Sequence, residues 1–321
     1  MRRSLLVVLV TLLGLTACAG GVRPPADLRI LVPNLPGSGY DVTARVAAEA
    51  AGEAGLYPDL EVFNLPGGGG NVGLQRMGLE AGNPGLLMLM GLGVLGGQHS
   101  ADSPTTLADT TPVARLLSEP GIIVVRREAP YRSMSALVEA WRDSPSATSV
   151  GGGSAVGGPD HVATMLIAQE IGIAPPEVDY RQYDGGGDLL TAVLRGEVAF
   201  GVSGISEYPP QVWSGQLRVL AVSGAEPTPG VDAPTLRECG IDVVFTNWRG
   251  IVAPPGLTAA ETEALRGLVE ALRDSAPWRN ALERYGWTDA YLPGDEFGDF
   301  IAAETDRLDD LLTELDLATV P

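Results

Sequence analysis

Lysine is absent from this sequence. All 21 bases are arginine, and 40 acids against them give a formal net charge of −19. So acidic a chain repels phosphate backbones and anionic headgroups, which excludes nucleic acid as a partner and electrostatic docking on anionic membranes. Arginine without lysine, beside abundant alanine and glycine, reads as the imprint of a GC-rich genome. Cysteine is nearly absent too: Cys18 and Cys239 have separate explanations, so no disulfide framework is expected. Cys239 reads as a buried small hydrophobe. Two histidines, His99 and His161, cannot supply the clustered ligands of a structural zinc site. No metal and no cofactor is therefore expected. What is present is ample: 321 residues, 45% hydrophobic and 19% charged, suffice for one large domain or two ordinary ones with a sizeable core.

The N-terminus, MRRSLLVVLVTLLGLTAC, places Arg2 and Arg3 before an apolar run from Leu5 to about Leu15. That is the layout of a secretory signal, too short to span a bilayer comfortably. Leu15-Thr16-Ala17-Cys18 is similar to a bacterial lipobox, in which Cys18 becomes the lipidated first residue of the mature chain. An ordinary signal peptide cut nearby would leave Cys18 incidental. The expectation is an exported lipoprotein anchored to the outer face of the membrane through Cys18.

After a short linker, strands and helices alternate. Residues 28–34 read as a buried strand, 40–55 as a helix, 60–64 as a strand, 71–82 as a helix and 85–91 as a strand. The pattern recurs with strands at 147–153, 178–183 and 198–204 and helices at 158–172 and 186–197. Alternation of this kind implies parallel βαβ units, hence two α/β lobes. Residues 121–128 and 248–255 read as crossing segments that would make a hinge, and amphipathic helices at 258–275 and 294–316 complete the C-terminal third. A cleft between such lobes is a usual place for a ligand.

Four glycine-rich loops join a strand end to a helix start: 34–41, 64–71, 151–161 and 183–188. Glycine lets a ligand approach the backbone, and a helix N-terminus offers unpaired N–H groups and a positive dipole end. Gly68-Gly69-Gly70-Asn71-Val72-Gly73 matches G-x-G-x-x-G, yet the next strand region, 85–97, carries no acid to hold a ribose, so dinucleotide binding is not expected. Ser154 lacks the second glycine of a nucleophile elbow, because Val156 stands there. His161 reads either as a structural histidine or as a ligand-facing donor. Asp41, Asp184 and Asp188 stand at helix starts, where capping accounts for them. Helix ends supply roughly 0.3–2 kcal/mol each, short of the ~8 kcal/mol of micromolar binding, so side-chain donors and water exclusion must add to them.

The stretches ILVPNLPGSGYDVTAR, VFNLPGGGGNVG, VGGGSAVGGPDH and VDYRQYDGGGDLLTAVLRGEV, followed in order by GQLRVLAVSG, DAPTLRECG and NWRGIVAPPG, resemble the solute receptors of tripartite tricarboxylate transporters, the TctC-like or Bug family. The resemblance covers nearly the whole mature chain. It implies a type II periplasmic-binding-protein-like fold whose cleft closes on a small carboxylate. It implies that Gly37, Ser38, Gly39, Tyr40 and Asp41 of the first loop, with Gly68, Gly69, Gly70 and Asn71 of the second, grip one carboxylate. Gly153, Ser154, His161, Asp184 and Gly185 would face the rest of the ligand. Ser38 and Tyr40 depart from the family's usual small residues, and GNPG (82–85) replaces its usual P-D-G. Arg249 is an expectation beyond the loops: at the hinge it could hold a carboxylate bidentately, or pair with a surface acid.

The resulting reading is a signal peptide at 1–17, a linker at 18–27, lobe 1 at 28–118 plus 248–321 and lobe 2 at 119–247. The expected function is non-catalytic: a monomeric extracytoplasmic receptor that takes a tricarboxylate or dicarboxylate such as citrate and delivers it to the membrane components of a tripartite tricarboxylate transporter. Alternatives are a receptor for another organic acid or an acidic amino acid acting in signalling, and an exported hydrolase.

Overall fold

A computed structural model describes residues 24–100 and 103–314; the signal peptide and Cys18 lie outside the described residues. From the N-terminal side, β1 (Arg29–Val32), α1 (Gly39–Glu53), β2 (Glu61–Asn64), α2 (Asn71–Leu79), β3 (Leu86–Gly91) and α3 (Leu92–Ser100) alternate. β1 lies between β2 and β3 and is parallel to both. β3, LLMLMG, is buried at every position, as a strand covered on both faces by helices must be.

Next comes β4 (Thr111–Arg126), sixteen residues long. Beyond it run α4 (Met134–Asp143), β5 (Val150–Gly152), α5 (Pro159–Glu170), β6 (Tyr180–Gln182), α6 (Gly186–Arg195), β7 (Phe200–Gly204), α7 (Pro209–Trp213) and β8 (Leu217–Val222). β5 sits between β6 and β7, parallel to both, so each lobe carries the same parallel triplet with its first strand in the middle. The chain returns through β9 (Thr246–Ala253) and closes with α8 (Ala259–Asp274), α9 (Ala276–Tyr285), β10 (Thr288–Pro293) and α10 (Gly294–Glu314).

The strand order is β2-β1-β3-β9-β4-β7-β5-β6, with β8 and β10 also on β4. The parallel triplets match the sequence pattern; the antiparallel strands β4, β8, β9 and β10 are added between and beside them. β4 is what couples the lobes. Its first half pairs with β9 and β10, and its second half, from Gly121 on, with β7 and β8. The two crossings run side by side, Glu119 opposite Asn247 and Pro120 opposite Thr246. Ser223 ties them: its Oγ accepts from Gly121 N at 2.7 Å and donates to Phe245 O at 2.6 Å. The architecture is therefore two α/β lobes on a two-segment hinge.

A large apolar core of buried side chains, including Trp141 and Trp278, underlies both lobes, and a smaller one lies beneath α6 and β8. Helix starts are chemically marked. Ser38 caps α1, Ser133 caps α4, Ser275 caps α9, and Thr258 with Glu261 forms a capping box on α8. Among the described residues no helix is long and apolar enough to cross a membrane, and no group of three or more His, Cys, Asp or Glu is placed to hold a metal ion.

Candidate functional site

Three of the four glycine loops converge on one cavity between the lobes. Ser38, Gly39 and Tyr40, at the start of α1, form one wall together with Asn34 and Gly93. Gly153, Ser154, Asp160, Gly185 and Glu207 form the other, and Asn247 and Arg249 of β9 close the back. The volume is about 40 Å³. One water needs roughly 10–15 Å³ on this measure, so the cavity holds a few waters, and a larger ligand enters only if the lobes part.

Arg249 is 1% exposed and makes its ion pair with Glu119, which is fully buried on β4. The partner is thus an internal acid at the hinge and not one of the many surface acids. Arg249 also donates to Thr43 Oγ1 at 2.7 Å, and Thr43 Oγ1 in turn donates to Gly39 O at 2.8 Å, which ties the guanidinium to the start of α1. Burial pulls its pKa down to about 10. Its Nε has no partner. Glu119 is saturated: besides Arg249 it accepts from Ser206 Oγ at 2.7 Å and Trp287 Nε1 at 3.0 Å.

Glu207 comes from the other lobe and bridges the cleft. One carboxylate oxygen accepts from Gly39 N at 3.0 Å, at the positive end of α1, and the other from Ser203 Oγ at 2.9 Å. Burial nevertheless pushes its pKa up to about 7. Asp160, in the first turn of α5, is pushed well above the carboxylate range by burial and by the charge of Glu207. Gly39 is required here because a Cβ would overlap the Arg249 guanidinium and lie 2.8 Å from Glu207 Oε1.

The remaining expected residues take supporting places. Asp41 faces away from the cavity and organises its own loop. It accepts from Gly37 N at 2.9 Å, Asn64 Nδ2 at 2.9 Å and Arg45 Nε at 3.0 Å. Burial pushes its pKa up, but the Arg45, Gly37 and Asn64 donors outweigh it and hold the carboxyl below its ordinary value. Tyr40 is buried, its hydroxyl accepting from Gly93 N at 3.0 Å. His161 is buried and, through burial, pulled down to a pKa of about 4, so it is neutral; Nδ1 accepts from Gly157 N at 3.2 Å and the ring packs edge-on against Tyr180. Asp184 is exposed beside the cleft loop rather than in the cavity lining.

Gly68, Gly69, Gly70 and Asn71 also lie outside the cavity lining. Gly67 to Gly70 all have positive φ, and a Cβ on Gly69 would sit 2.9 Å from Gly97 Cα. Asn71 Nδ2 donates to Gly97 O at 2.5 Å. Gly69 and Gly70 admit the close approach of α3. Opposite them Ala155 approaches Gly69, and Gly157 approaches Gly96 so closely that a Cβ on Gly96 would overlap the Gly157 carbonyl. The second loop is therefore part of the lobe-to-lobe seam.

Sequence reasoning missed Glu119, Asp160, Glu207 and Asn247. Glu119 had a usable signal: in ARLLSEPGIIVV it is a lone acid within an apolar strand, where burial demands a partner.

The family model described as the tripartite tricarboxylate transporter family receptor, TctC, matches residues 43–317. The chain belongs to this family. Among relatives, protein BugT of Bordetella pertussis is 26% identical over 314 residues, spanning 93% of this chain and 94% of that protein. Of solved structures, the periplasmic binding protein BugD superposes with a TM-score of 0.82 at 17% identity, over 90% of this chain and 97% of that one. MatC from Rhodopseudomonas palustris, with bound malate, superposes with a TM-score of 0.78 at 20% identity, over 89% of this chain and 98% of that one. The receptor's fold is thus the periplasmic-binding-protein fold, two lobes about a hinged cleft.

Proposed function

We propose that this receptor binds a small organic carboxylate in the interlobe cavity and delivers it to the membrane components of a tripartite tricarboxylate transporter. The observation that carries the reading is the pairing, in one cavity, of the Gly39 N–H at the start of α1 with a buried arginine whose Nε is unpartnered. In this structure a carboxylate, that of Glu207, already occupies the Gly39 N–H. A ligand carboxylate has the chemistry to replace it. Dicarboxylates and tricarboxylates such as citrate are the first candidates to test; MatC with malate and an R. palustris protein with adipate share the fold.

The reading includes export and anchoring through Cys18, action as a monomer, and no turnover. Ser154 Oγ accepts from Asp160 N at 3.0 Å while His161 Nδ1 is held by Gly157 N, so the two do not form a nucleophile–base pair.

The test is calorimetric titration with a carboxylate panel, repeated on Gly39→Ala. A carboxylate that binds the native receptor and loses at least tenfold in affinity with Gly39→Ala supports the site. A carboxylate bound equally by both proteins places it elsewhere and sinks the proposal.

A further inference from the structure

The cavity is unevenly charged. Its one cation, Arg249, is already balanced by Glu119. Facing it are Asp160 and Glu207, and neither meets a base among the described residues. A third acceptor joins them: Asn247 is 9% exposed, lines the same cavity, and its side-chain oxygen has no donor. The acid side of the cleft has only neutral donors, Gly39 N and Ser203 Oγ on Glu207 and Gly153 N and Ser154 on Asp160, and no cation, while Arg249 has a buried donor to spare.

A second carboxylate on the ligand would meet two acids there. A protonated nitrogen would meet two counter-ions and a free carbonyl. We propose that Asp160 and Glu207 seat a protonated nitrogen, so that the ligand is a monocarboxylate bearing an ammonium group, an amino acid or a longer homologue, and not a di- or tricarboxylate. The inference rests on the carboxylate-receptor reading above and narrows it. The exchange is economical in hydrogen bonds. The ligand carboxylate takes the Gly39 N–H from Glu207; Glu207 keeps Ser203 Oγ and turns its freed oxygen to the nitrogen.

Proton traffic distinguishes the two ligand classes. The ionisable neighbours of the pair are Arg249 of β9 with its Glu119, Tyr40 of α1, Tyr180 of β6, Tyr208 after β7, and His161, which is neutral. With Glu207 raised to about 7 and Asp160 raised beside it, the pair retains a proton near neutrality. An arriving ammonium expels that proton. A second carboxylate draws one in. Zwitterion affinity should therefore rise from pH 6 to 8, and dicarboxylate affinity should fall.

The experiment is isothermal titration of the full chain with alanine, β-alanine and 4-aminobutyrate, and with propionate, malate, adipate and citrate. Each is run in two buffers of different ionisation enthalpy. One amino acid is expected to bind at least tenfold tighter than propionate and than malate, adipate or citrate, with proton release. Glu207→Gln and, separately, Asp160→Asn should each remove at least tenfold of that preference and reduce the release. Malate, adipate or citrate binding tighter than every zwitterion, with proton uptake, overturns this inference and leaves the carboxylate-receptor reading standing. Absence of binding by all seven overturns both.

Discussion

The buried pair of Glu119 and Arg249 is the most exposed point of the argument, because hinge strength and site chemistry both depend on it. Consider Glu119→Gln, which preserves shape and removes charge. Every partner of this side chain is a donor: the Arg249 guanidinium, Ser206 Oγ and Trp287 Nε1. A glutamine offers one acceptor oxygen, so its NH2 must face one of those donors. Arg249 then keeps Thr43 as its remaining acceptor while still fully buried. Removing one partner of a buried ion pair costs about 3–5 kcal/mol. For a large domain 1 kcal/mol corresponds to roughly 2 °C, so Tm should drop by ~6–10 °C. Differential scanning calorimetry at pH 7.5 measures this, with urea unfolding as the check. The double change Glu119→Leu with Arg249→Met removes both charges together, and paired removal of this kind is often neutral or stabilising. It should recover most of the loss, giving a coupling energy above ~2 kcal/mol in a double-mutant cycle. A Tm for Glu119→Gln within about 2 °C of the parent, or a double variant that loses the sum of its singles, would refute the view that this pair is a tightly coupled hinge element.

Two ionisable groups should set opposite pH slopes. Glu207, raised to about 7 in the fold from 4.5, gives stability that is complete below pH 4.5 and is lost as pH rises toward 7. His161, lowered to about 4 from 6.5, gives stability that is complete above pH 6.5 and is lost as pH falls toward 4. Between pH 4.5 and 6.5 they oppose each other at about 1.4 kcal/mol per pH unit each. Asp160, raised in the same sense, adds to the slope of Glu207, so Glu207→Gln together with Asp160→Asn should unmask the histidine and make urea midpoints fall by the equivalent of ~2–3 kcal/mol on acidification across that window; an unchanged pH profile contradicts the assignment. Gly96→Val should keep the lobes from meeting at Gly157, raising the radius of gyration in small-angle scattering and weakening ligand binding about tenfold, or ~1.4 kcal/mol; an unchanged radius of gyration refutes the seam. Asp41→Ala strands the Gly37 N–H and frees Asn64 and Arg45. It should cost ~1–3 kcal/mol of stability, read by urea unfolding, and an affinity that falls with no stability loss would mean that Asp41 touches ligand after all.

The parallel triplets were legible because their signals are local. Each strand leads into a glycine-bearing stretch, and the helices that follow show their starts through Ser38, Gly70, Pro159 or Gly185. The long strand β4 was only half legible. Pro112 and Pro120 interrupt it, and proline normally argues against a central strand. The ladder with β9 shifts register between Pro112 and Ala114 and again between Arg115 and Leu117. α3 was missed for a related reason: LGVLGGQHS has three glycines and no polar face, so no helical period stands out. Those glycines are tolerated because Gly93, Gly96 and Gly97 each meet Tyr40 or another loop's backbone at close range. Tertiary contact outweighed propensity there.

The cavity was legible at its glycine loops and at Arg249 and opaque at its acids, and the difference has one physical cause. A glycine loop announces close approach but not what approaches. Gly39 admits an arginine and a glutamate; Gly69 admits the backbone of α3; Gly96 admits Gly157 across the cleft. One residue type in one kind of motif thus serves a binding wall, an internal joint and a closing face. What separates them is where the acids come to rest, and that depends on pairings far apart in sequence. Glu119 reaches Arg249 across 130 residues, and Glu207 reaches Gly39 across 168. Neither spacing leaves a local trace. Both contacts exist because the hinge strands lie side by side and the lobes close on them, so the same closure that shapes the cavity also decides which carboxylates line it.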